Sequence, residues 1–529
     1  MTSILIIGAV RVQIQLMRIS TVTVNKCLNC THRLSPQLYL PISPSARYHR
    51  CMLIENRRNG DLLYEQVADH IVKLIDKGTL QPGERLPSIR KLSGQMDVSI
   101  STVLQAYMIL EGKDWIEAKP QSGFYVRPSR NLPPEPKAST PSSVVARVGV
   151  SELVAQVFQS AHERDMIQLA LSTPSPEHLP VKRLNRLMAA ATSRAGAVAL
   201  SYDFPPGYAP LRHEIVKRLI DAGCRLSERD IVTTNGTMEA LNLCLRAVAK
   251  TGDVIAIESP AFYGTLQVIE SLGMKALEIP TDPRHGIVLD ALASAIRRQK
   301  IKACLFVTNF SNPLGSCMPD ANKKALVELL ARREIPLIED DIYGDLYFDG
   351  PRPKAAKAYD EQGLVLLCAS FSKTLAPGYR VGWTAPGRYK PQVESLKFTS
   401  SMATATAPQM AIAEFLQSGG YDRYLRKLRR ILMSQVQQMS AAVGRYFPAG
   451  TKVTRPQGGY VLWVELPRAV DALELHRGAL AKKISIAPGP IFSATQKYKN
   501  CIRLSCGLPW SEKLEQAIYT LGNLANKAP

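Results

Sequence analysis

Apolar residues between positions 63 and 112 recur at helical spacing and fall into three segments. The first segment places an apolar residue at every fourth position: Leu63, Val67, Ile71 and Ile75. This period predicts a helix that ends near Gly78. Two further helices are predicted after Ser88 and Ser99, because a serine directly before an apolar period can cap a helix start. The second of these runs to about Glu111.

Two short runs rich in aromatic and β-branched residues follow, at 115–118 and Gly123–Val126. Their spacing predicts a hairpin, and three helices followed by a hairpin form a winged helix-turn-helix, which we place at residues 60–128. The chain then becomes rich in proline and serine, which predicts a semi-extended linker without folded elements at residues 129–155.

Beyond the linker, apolar runs of strand length alternate with helical segments. The candidate strands are residues 253–258, 303–308, 335–339 and 364–370. Such alternation is typical of an α/β fold with a mostly parallel sheet and helices on both faces. We assign residues 156–526 to this second domain.

Length and composition fit this division. A chain of 529 residues exceeds one ordinary domain. Its longest apolar runs fall short of the ~20 residues that cross a bilayer, so no membrane contact is expected. Of the ten cysteines, only Cys27 and Cys30 are closely paired, and no second pair follows at zinc-site spacing. We therefore expect reduced thiols, no metal site and a cytoplasmic location.

The charge is uneven along the chain. The net charge of +21 indicates an anionic partner. Residues 52–130, however, carry eleven basic and ten acidic side chains, so nucleic-acid binding there must rest on a local cluster.

The strongest chemical signal is a lysine at the exit of the last apolar run. Lys373 follows Ser370 by three positions and precedes Arg380 by seven. A lysine there can form a Schiff base with an aldehyde, while a hydroxyl and a guanidinium hold a phosphate nearby. These three side chains are suited to binding pyridoxal 5'-phosphate. The alternative is a solvated Lys/Arg pair on a loop.

The strings LYEQVADHI, LQPGERLPSIRKL and SGFYV make residues 62–126 resemble the GntR family of bacterial winged-helix regulators. In that family the second helix of the motif enters the major groove of double-stranded DNA, and the wing touches the minor groove. The resemblance implies the following DNA contacts: Arg85, Arg90, Ser99, Ser101, Thr102 and Gly123. It further suggests phosphate contacts from Lys91, Lys119 and Arg127.

One departure concerns Ile100 and Leu104, which stand where relatives commonly carry arginine. Base reading is then left to hydroxyls, to Gln105, to apolar contact with thymine methyls or to DNA shape. A winged helix that contacts protein instead of DNA is the alternative.

The first 51 residues carry six Lys/Arg and no acid, as organelle-targeting peptides do. Alternatively, Met52 is the natural start and the upstream residues are an extension. We favour the second interpretation, because the following segment is bacterial in organisation, and we assign residues 1–55 to an unstructured or non-native extension.

Residues 165–526 resemble the class I/II aminotransferases, which are fold-type I pyridoxal-phosphate enzymes. The resemblance implies a large domain with a mostly parallel sheet and a smaller carboxyl-terminal α+β subdomain. It assigns the cofactor link to Lys373, the pyridine nitrogen to Asp340 and the phenolic oxygen to Tyr343, and these three form the catalytic set. Asp341 is expected to be solvated. The remaining implied cofactor contacts are Gly236, Thr237, Met238, Phe262, Asn312, Ser370 and Arg380, with Tyr263 as the alternative to Phe262.

Two further assignments depend on distant segments. Tyr202 matches the family's tyrosine that reaches the phosphate of the neighbouring subunit, which implies a homodimer. Arg503 matches the arginine that clamps a substrate carboxylate. The segment Leu171-Ser172-Thr173-Pro174 departs from the family, whose members usually carry glycine ahead of the proline, so a narrower ligand pocket is expected.

The two halves together resemble the MocR-type branch of GntR regulators. This implies a dimeric transcription regulator that binds pyridoxal phosphate at Lys373 and senses a small amino compound through external aldimine formation. A pyridoxal-phosphate-dependent aminotransferase with an accessory DNA-binding domain is the main alternative, and residual transaminase activity is compatible with either. A third possibility is a regulator that senses pyridoxal phosphate itself.

Overall fold

The structure is a computed structural model and describes residues 62–76, 79–80, 83–113, 115–119, 122–127, 132–159, 163 and 165–527. The predicted extension, the predicted end of the first helix at Gly78, and the Cys27/Cys30 pair lie outside the described residues.

The described helices are numbered in chain order: α1 Leu63–Asp76, α2 Ile89–Met96, α3 Ile100–Gly112, α4 Ser151–Phe158, α5 Val181–Ala195, α6 Ala209–Asp221, α7 Thr237–Val248, α8 Tyr263–Ser271, α9 Leu289–Arg298, α10 Asp320–Ala331, α11 Lys390–Ser401, α12 Thr406–Gln417, α13 Gly420–Tyr446, α14 Ala472–Leu480 and α15 Glu512–Asn526.

The described strands are numbered likewise: β1 Ile116–Lys119, β2 Gly123–Val126, β3 Ala146–Arg147, β4 Ile167–Gln168, β5 Val232–Thr234, β6 Val254–Ser259, β7 Lys275–Asp282, β8 Gly286–Ile287, β9 Ile301–Phe306, β10 Leu337–Asp340, β11 Val365–Ser370, β12 Gly382–Ala385, β13 Lys452–Val453, β14 Val461–Glu465, β15 Ile484–Ser485, β16 Ala487–Pro488 and β17 Cys501–Ser505.

The three helices and hairpin expected at the amino end are confirmed. Ser88 Oγ accepts a hydrogen bond from the backbone N–H of Lys91 at 3.3 Å, and Ser99 Oγ accepts one from Thr102 N–H at 3.1 Å. Both serines therefore cap their helices as predicted. The Tyr107 hydroxyl donates to the Pro87 carbonyl at 2.6 Å and ties α3 to the turn before α2.

The large sheet has the strand order β3-β7-β6-β9-β10-β11-β12-β5. The successive pairs β7-β6, β6-β9, β9-β10 and β10-β11 are parallel, whereas β12 is antiparallel to both β11 and β5. The predicted mostly parallel sheet is confirmed, with strand ends within two residues of their predicted positions. Because parallel strands end at the same edge, Asp340 and Ser370 are brought together at the carboxyl ends of β10 and β11.

A second, antiparallel sheet of order β13-β14-β17-β16 lies towards the carboxyl end. Its strand β17 pairs with β14 so that Arg503 lies opposite Trp463. The apolar residues of β14 and β17 pack with those of α13, α14 and α15 in one core cluster. This packing fixes the strand that carries Arg503.

The segment predicted as a linker differs from expectation, because it contains β3 and the start of α4. Strand β3 pairs antiparallel with β7 at the sheet edge, through Ala146 opposite Ala276. Ahead of it, Ser139 exchanges hydrogen bonds with the backbone of Thr281 at 2.9 and 3.0 Å. An edge strand offers unpaired backbone groups that a proline- and serine-rich segment can occupy, and composition alone does not reveal that partner.

No helix of the described residues is both long enough and apolar enough to span a bilayer. All the cysteines in the described part of the chain are free thiols.

Candidate cofactor site and DNA-binding face

Lys373 leaves the sheet directly after β11 and points into a pocket at the carboxyl ends of the strands. Its Nζ donates a hydrogen bond to the backbone carbonyl of Ser172. Burial and the neighbouring Arg503 charge lower the pKa of Lys373 to about 8. A usable fraction of this amine is therefore neutral and nucleophilic near physiological pH.

Asp340 ends strand β10 and is buried. Burial raises the pKa of Asp340 to about 7, while the backbone N–H of Ile342, which donates to Oδ1 at 3.2 Å, opposes the rise. A buried carboxylate with so high a pKa is suited to binding a cationic nitrogen, because the positive charge would restore its ionised form.

The expectation that Asp341 is solvated is wrong. Its side chain is buried, with the Arg352 guanidinium at 2.6 Å from Oδ2 and the Asn309 amide at 2.8 Å from Oδ1. A buried charge needs such partners, and these come from segments that adjacency in sequence does not indicate. The two aspartates therefore have different environments, because Asp341 is in an ion pair and Asp340 lines the pocket.

Tyr343 and Asn312 form a pair of hydrogen-bonding groups beside Asp340. The Tyr343 hydroxyl lies 2.7 Å from Ser172 Oγ and accepts from Asn312 Nδ2 at 3.4 Å. Burial raises the pKa of Tyr343 to about 12, so the phenol stays protonated. Asn312 Oδ1 is buried and has no hydrogen-bond partner among the described residues, which leaves an acceptor available to a ligand.

An anion-binding cup lies at the start of α7. Gly236 caps this helix with φ of +82°, and a Cβ there would lie 2.5 Å from Arg380 Nη2. Only glycine allows both the backbone conformation and the close approach of Arg380. The Oγ1 of Thr237 is buried without a partner in the described structure. Backbone N–H groups of a helix start, an arginine and a free hydroxyl together suit a phosphate.

One pocket of about 570 Å³, partly open to solvent, collects these groups. Nine of its lining residues are predicted cofactor contacts: Thr237, Met238, Phe262, Asn312, Asp340, Tyr343, Ser370, Lys373 and Arg380. Phe262 lines the pocket, whereas the alternative, Tyr263, packs with Phe158 and Phe492 at ring distances of 5.0 and 5.8 Å. The geometry therefore favours Phe262 as the aromatic side chain that faces a bound ring.

Arg503 is fully buried on β17, and burial lowers its pKa. Its Nη2 donates to the Ala170 carbonyl at 2.5 Å, and its guanidinium lies 5.7 Å from the centre of the Phe492 ring. Nε and Nη1 have no hydrogen bond of good geometry within the residues described. The guanidinium does lie beside the Tyr263 hydroxyl: burial raises the pKa of Tyr263, and the Arg503 charge opposes that rise. Nε and Nη1 lie on different edges of the guanidinium, so the N–H that remains on Nη2 would join one of them to form the two-pronged donor that a carboxylate matches.

Tyr202 is not brought to this pocket within the chain. Its side chain is 70% exposed and stacks on Phe204 at 5.7 Å, and Phe204 in turn lies 5.9 Å from Phe398. Leu200, also nearby in sequence, is 91% exposed. These four residues form an exposed apolar surface, which is unusual on a face that meets only water.

The predicted DNA contacts form two local groups in the winged helix, one at the start of α3 and one at the wing. Ser99 Oγ lies 2.8 Å from Ser101 Oγ and 2.7 Å from Thr102 Oγ1 at the start of α3. Gly123 has φ of +105°, and a Cβ there would lie 3.4 Å from Arg85 Nε, so the arginine lies against the wing. Arg90 is exposed on α2.

Sequence reasoning missed two buried groups at the pocket. The Ser172 carbonyl accepts from Lys373 and from the Tyr460 hydroxyl, the latter at 3.0 Å. The Tyr460 ring packs edge-on against Tyr343 at 5.7 Å and supports it. Ser172 lies in the segment that departs from the family by lacking a glycine before the proline. For Tyr460, the pair of glycines directly before it was the sequence feature that could have indicated its position.

Comparison with known proteins assigns both halves. The model of the aminotransferase class I and II family matches residues 164–521, and that of the bacterial regulatory proteins, gntR family, matches residues 63–126. The HTH-type transcriptional regulator YjiR of Escherichia coli K12 is 38% identical over 88% of this chain and 99% of its own length. Aromatic-amino-acid aminotransferase 1 of Thermococcus litoralis is 30% identical over 70% of this chain and 90% of its own.

Among solved structures, the kynurenine aminotransferase of Pyrococcus horikoshii superposes with a TM-score of 0.67 and 28% identity. The alignment covers 72% of this chain and 95% of that one. The similarity to aminotransferases thus spans the large domain, while the similarity to YjiR spans both domains.

Proposed function

The chain belongs to the aminotransferase class I and II family and carries a gntR-family DNA-binding domain ahead of it, and on that premise we propose a pyridoxal-phosphate-binding transcription regulator that responds to an amino acid. The observation that carries the proposal is the joining, in one chain, of a winged helix to a pocket holding Lys373, Asp340 and the anion cup. A catalyst alone has no use for the winged helix.

Pyridoxal phosphate is the cofactor of this family, and the residues present fit it. Thr237 Oγ1 and Asn312 Oδ1 are buried acceptors or donors without partners, and Gly236 leaves room for a phosphate beside Arg380. Lys373 would hold the aldehyde carbon, while Ser370, Arg380 and the start of α7 would hold the phosphate. When bound, the cofactor supplies an aldehyde that exchanges one amine for another and a ring that withdraws electrons.

The protein's own residues would position the groups that take part in that exchange. Asp340 would hold the proton on the pyridine nitrogen, and Tyr343 with Asn312 would bind the phenolic oxygen. Arg503 would take the carboxylate of the incoming amino acid through Nη2 and one of the two nitrogens that lack a partner, and it brings a positive charge close to Lys373. A pocket with Lys373 bonded to the cofactor and a pocket with Lys373 free would be two states that an amino acid held by Arg503 can bias.

The exposed apolar surface around Tyr202 supports a homodimer. Leu200, Tyr202, Phe204 and Phe398 would be covered by a second copy of the chain, and Tyr202 would then reach the phosphate of the partner's pocket. This arrangement matches the two-fold symmetry that a winged-helix regulator uses on DNA.

The segment between the two domains supplies a route from the pocket to the DNA-binding domain. Glu270, near the end of α8, accepts three hydrogen bonds on Oε2: from Val150 N at 2.9 Å, Ser151 N at 3.0 Å and Ser151 Oγ at 2.9 Å. Helix α8 begins directly after Phe262, which lines the pocket. A displacement of Phe262 would therefore shift Glu270 and change the hydrogen bonds that attach the linker.

We expect Glu270→Ala to uncouple DNA binding from the amino acid. The substitution leaves three donors without their acceptor and weakens the attachment by about 1–3 kcal/mol. Cofactor retention should be unchanged, because Glu270 does not line the pocket, whereas the change in DNA affinity on adding the amino acid should disappear. Fluorescence anisotropy with labelled DNA measures this change in affinity. Glu474→Ala, an exposed glutamate on α14, is the control. A normal response in the Glu270 variant would rule out this route.

The proposed function is tested by gel shift on DNA from upstream of the protein's own gene, with the cofactor and a panel of amino acids added in turn. We expect binding at low salt and a shift in affinity with one class of amino acid. No binding, together with steady transamination of the panel, would instead establish an enzyme. That second function is favoured by the complete set of Lys373, Asp340, Tyr343 and Arg503. An affinity change with cofactor alone would identify the cofactor as the signal.

A further inference from the structure

Helix α3 has two apolar faces, about a third of a turn apart around its axis, but is packed on only one of them. Its buried side contributes Val103, Ala106, Tyr107 and Leu110 to the core of the winged helix. On the other side Ile100, Leu104 and Met108 recur every fourth residue and are 54%, 42% and 63% exposed. We call these three residues the α3 ridge. The core does not account for the α3 ridge, so its apolar character requires another partner.

The polar groups next to the α3 ridge leave little capacity for hydrogen-bonded base reading. No charged side chain occurs between Ile100 and Leu110. The hydroxyls of Ser101 and Thr102 both lie within hydrogen-bond distance of Ser99 Oγ. Gln105 is the exposed side chain of α3 that retains an amide for bases. The exposed side of α3 therefore presents mainly methyl and methylene groups to a binding partner.

The match of residues 63–126 to the gntR family and the exposed cations of this domain favour DNA as the partner. Arg85, Arg90 and Lys91 are exposed on the same domain, and Lys119 lies on the wing. Exposed cationic side chains in the same domain as an uncharged apolar helix suit the phosphates that flank a groove presenting methyl groups. Within the major groove, the 5-methyl of thymine is the apolar group that distinguishes one base pair from the others.

Resting on the proposed DNA-binding function, we propose that the α3 ridge reads thymine methyl groups in the major groove, so that the bound sequence is specified by apolar contacts. The sequence preference of this protein then lies in the placement of thymines opposite Ile100, Leu104 and Met108. Arg85, Arg90 and Lys91 contribute affinity through phosphates and little sequence preference.

The test uses the full-length protein and a random duplex library to select bound DNA. Each thymine of the selected site is then replaced by uracil, which removes one methyl group and keeps base pairing. We expect a loss of roughly fourfold per contacted methyl, as burial of one such group implies. The slope of affinity against salt concentration should not change, because no phosphate contact is lost.

A double-mutant cycle assigns the contact to the ridge. Ile100→Ala and Leu104→Ala should weaken binding to the thymine site and cause little further loss on the uracil site. Leu63→Ala, at an exposed leucine at the start of α1 and outside the α3 ridge, is the matched control. Because all three side chains are exposed, thermal unfolding should be unchanged and confirms that the variants fold.

The possible failures are distinguishable. If selected DNA binds equally well with uracil, the thymine contact is wrong and DNA binding stands. If, in addition, the alanine variants alter the oligomeric state, the ridge is a contact between protein chains. If the library yields no bound sequence at low salt, both this inference and the proposed function are overturned.

Discussion

Protein carrying Lys373→Ala should bind pyridoxal phosphate without any covalent link. The lysine is the group proposed to bond the aldehyde, while Arg380, Gly236 and Thr237 would hold only the phosphate. We expect retention of the cofactor to weaken by at least about a hundredfold, which corresponds to ~3 kcal/mol. Borohydride reduction followed by mass spectrometry of the intact chain should show the mass of a reduced pyridoxyl group on the natural protein and no gain on the variant.

The matched control is Lys390→Ala, since Lys390 is partly buried and ion-paired with Glu394 on a helix away from the pocket. That variant should gain the same mass as the natural protein. A covalent adduct that persists in the Lys373 variant would mean that another lysine holds the cofactor, and the assignment of the pocket would fail.

The substitution Arg503→Met should raise stability and abolish recognition of the amino acid. Arg503 is buried with Nε and Nη1 unpaired, and each unsatisfied buried group costs about 1–3 kcal/mol. Replacing it with an apolar side chain of similar length removes both costs but also removes the hydrogen bond from Nη2 to the Ala170 carbonyl, so the free energy of unfolding of cofactor-free protein should increase by a net of about 1–3 kcal/mol. Binding of the amino acid should weaken by about 2–5 kcal/mol, because its carboxylate loses a charged partner.

Urea unfolding of the cofactor-free protein measures the first effect, and a spectral titration of the cofactor-loaded protein with amino acids measures the second. Arg477→Met, on an exposed position of α14, should change neither quantity. A destabilised Arg503 variant would show that the arginine has partners in solution that satisfy it. An unchanged amino-acid affinity would remove Arg503 from the recognition of the carboxylate.

Local features of the chain were predictable, because they depend on residues close in sequence. The caps at Ser88 and Ser99, the hairpin and the parallel strands follow from periodicity and from single side-chain-to-backbone hydrogen bonds within three residues. Lys373 was recognisable for the same reason, since strand, serine, lysine and arginine all lie within sixteen positions of one segment. Resemblance to known families then extended this local signal to the other pocket residues.

The three-dimensional packing decided what no local pattern could. The lysine at 373 meets the carbonyl of Ser172, 201 residues away, and Arg503 meets Ala170 across 333 residues. Asp341 was expected in solvent and is buried because Arg352 and Asn309 come from other segments. The linker is fixed by a sheet edge and by Glu270, and neither is visible in its own composition.

By itself, then, the sequence determined which elements form and which side chains carry chemistry, since propensity, capping and periodicity act over a few residues. Tertiary structure alone decided which of those side chains are buried, paired or left unpaired, since burial and charge depend on neighbours that are distant along the chain. The unpaired guanidinium of Arg503 and the exposed α3 ridge are the two results of that packing on which the binding of amino acid and DNA is proposed to depend.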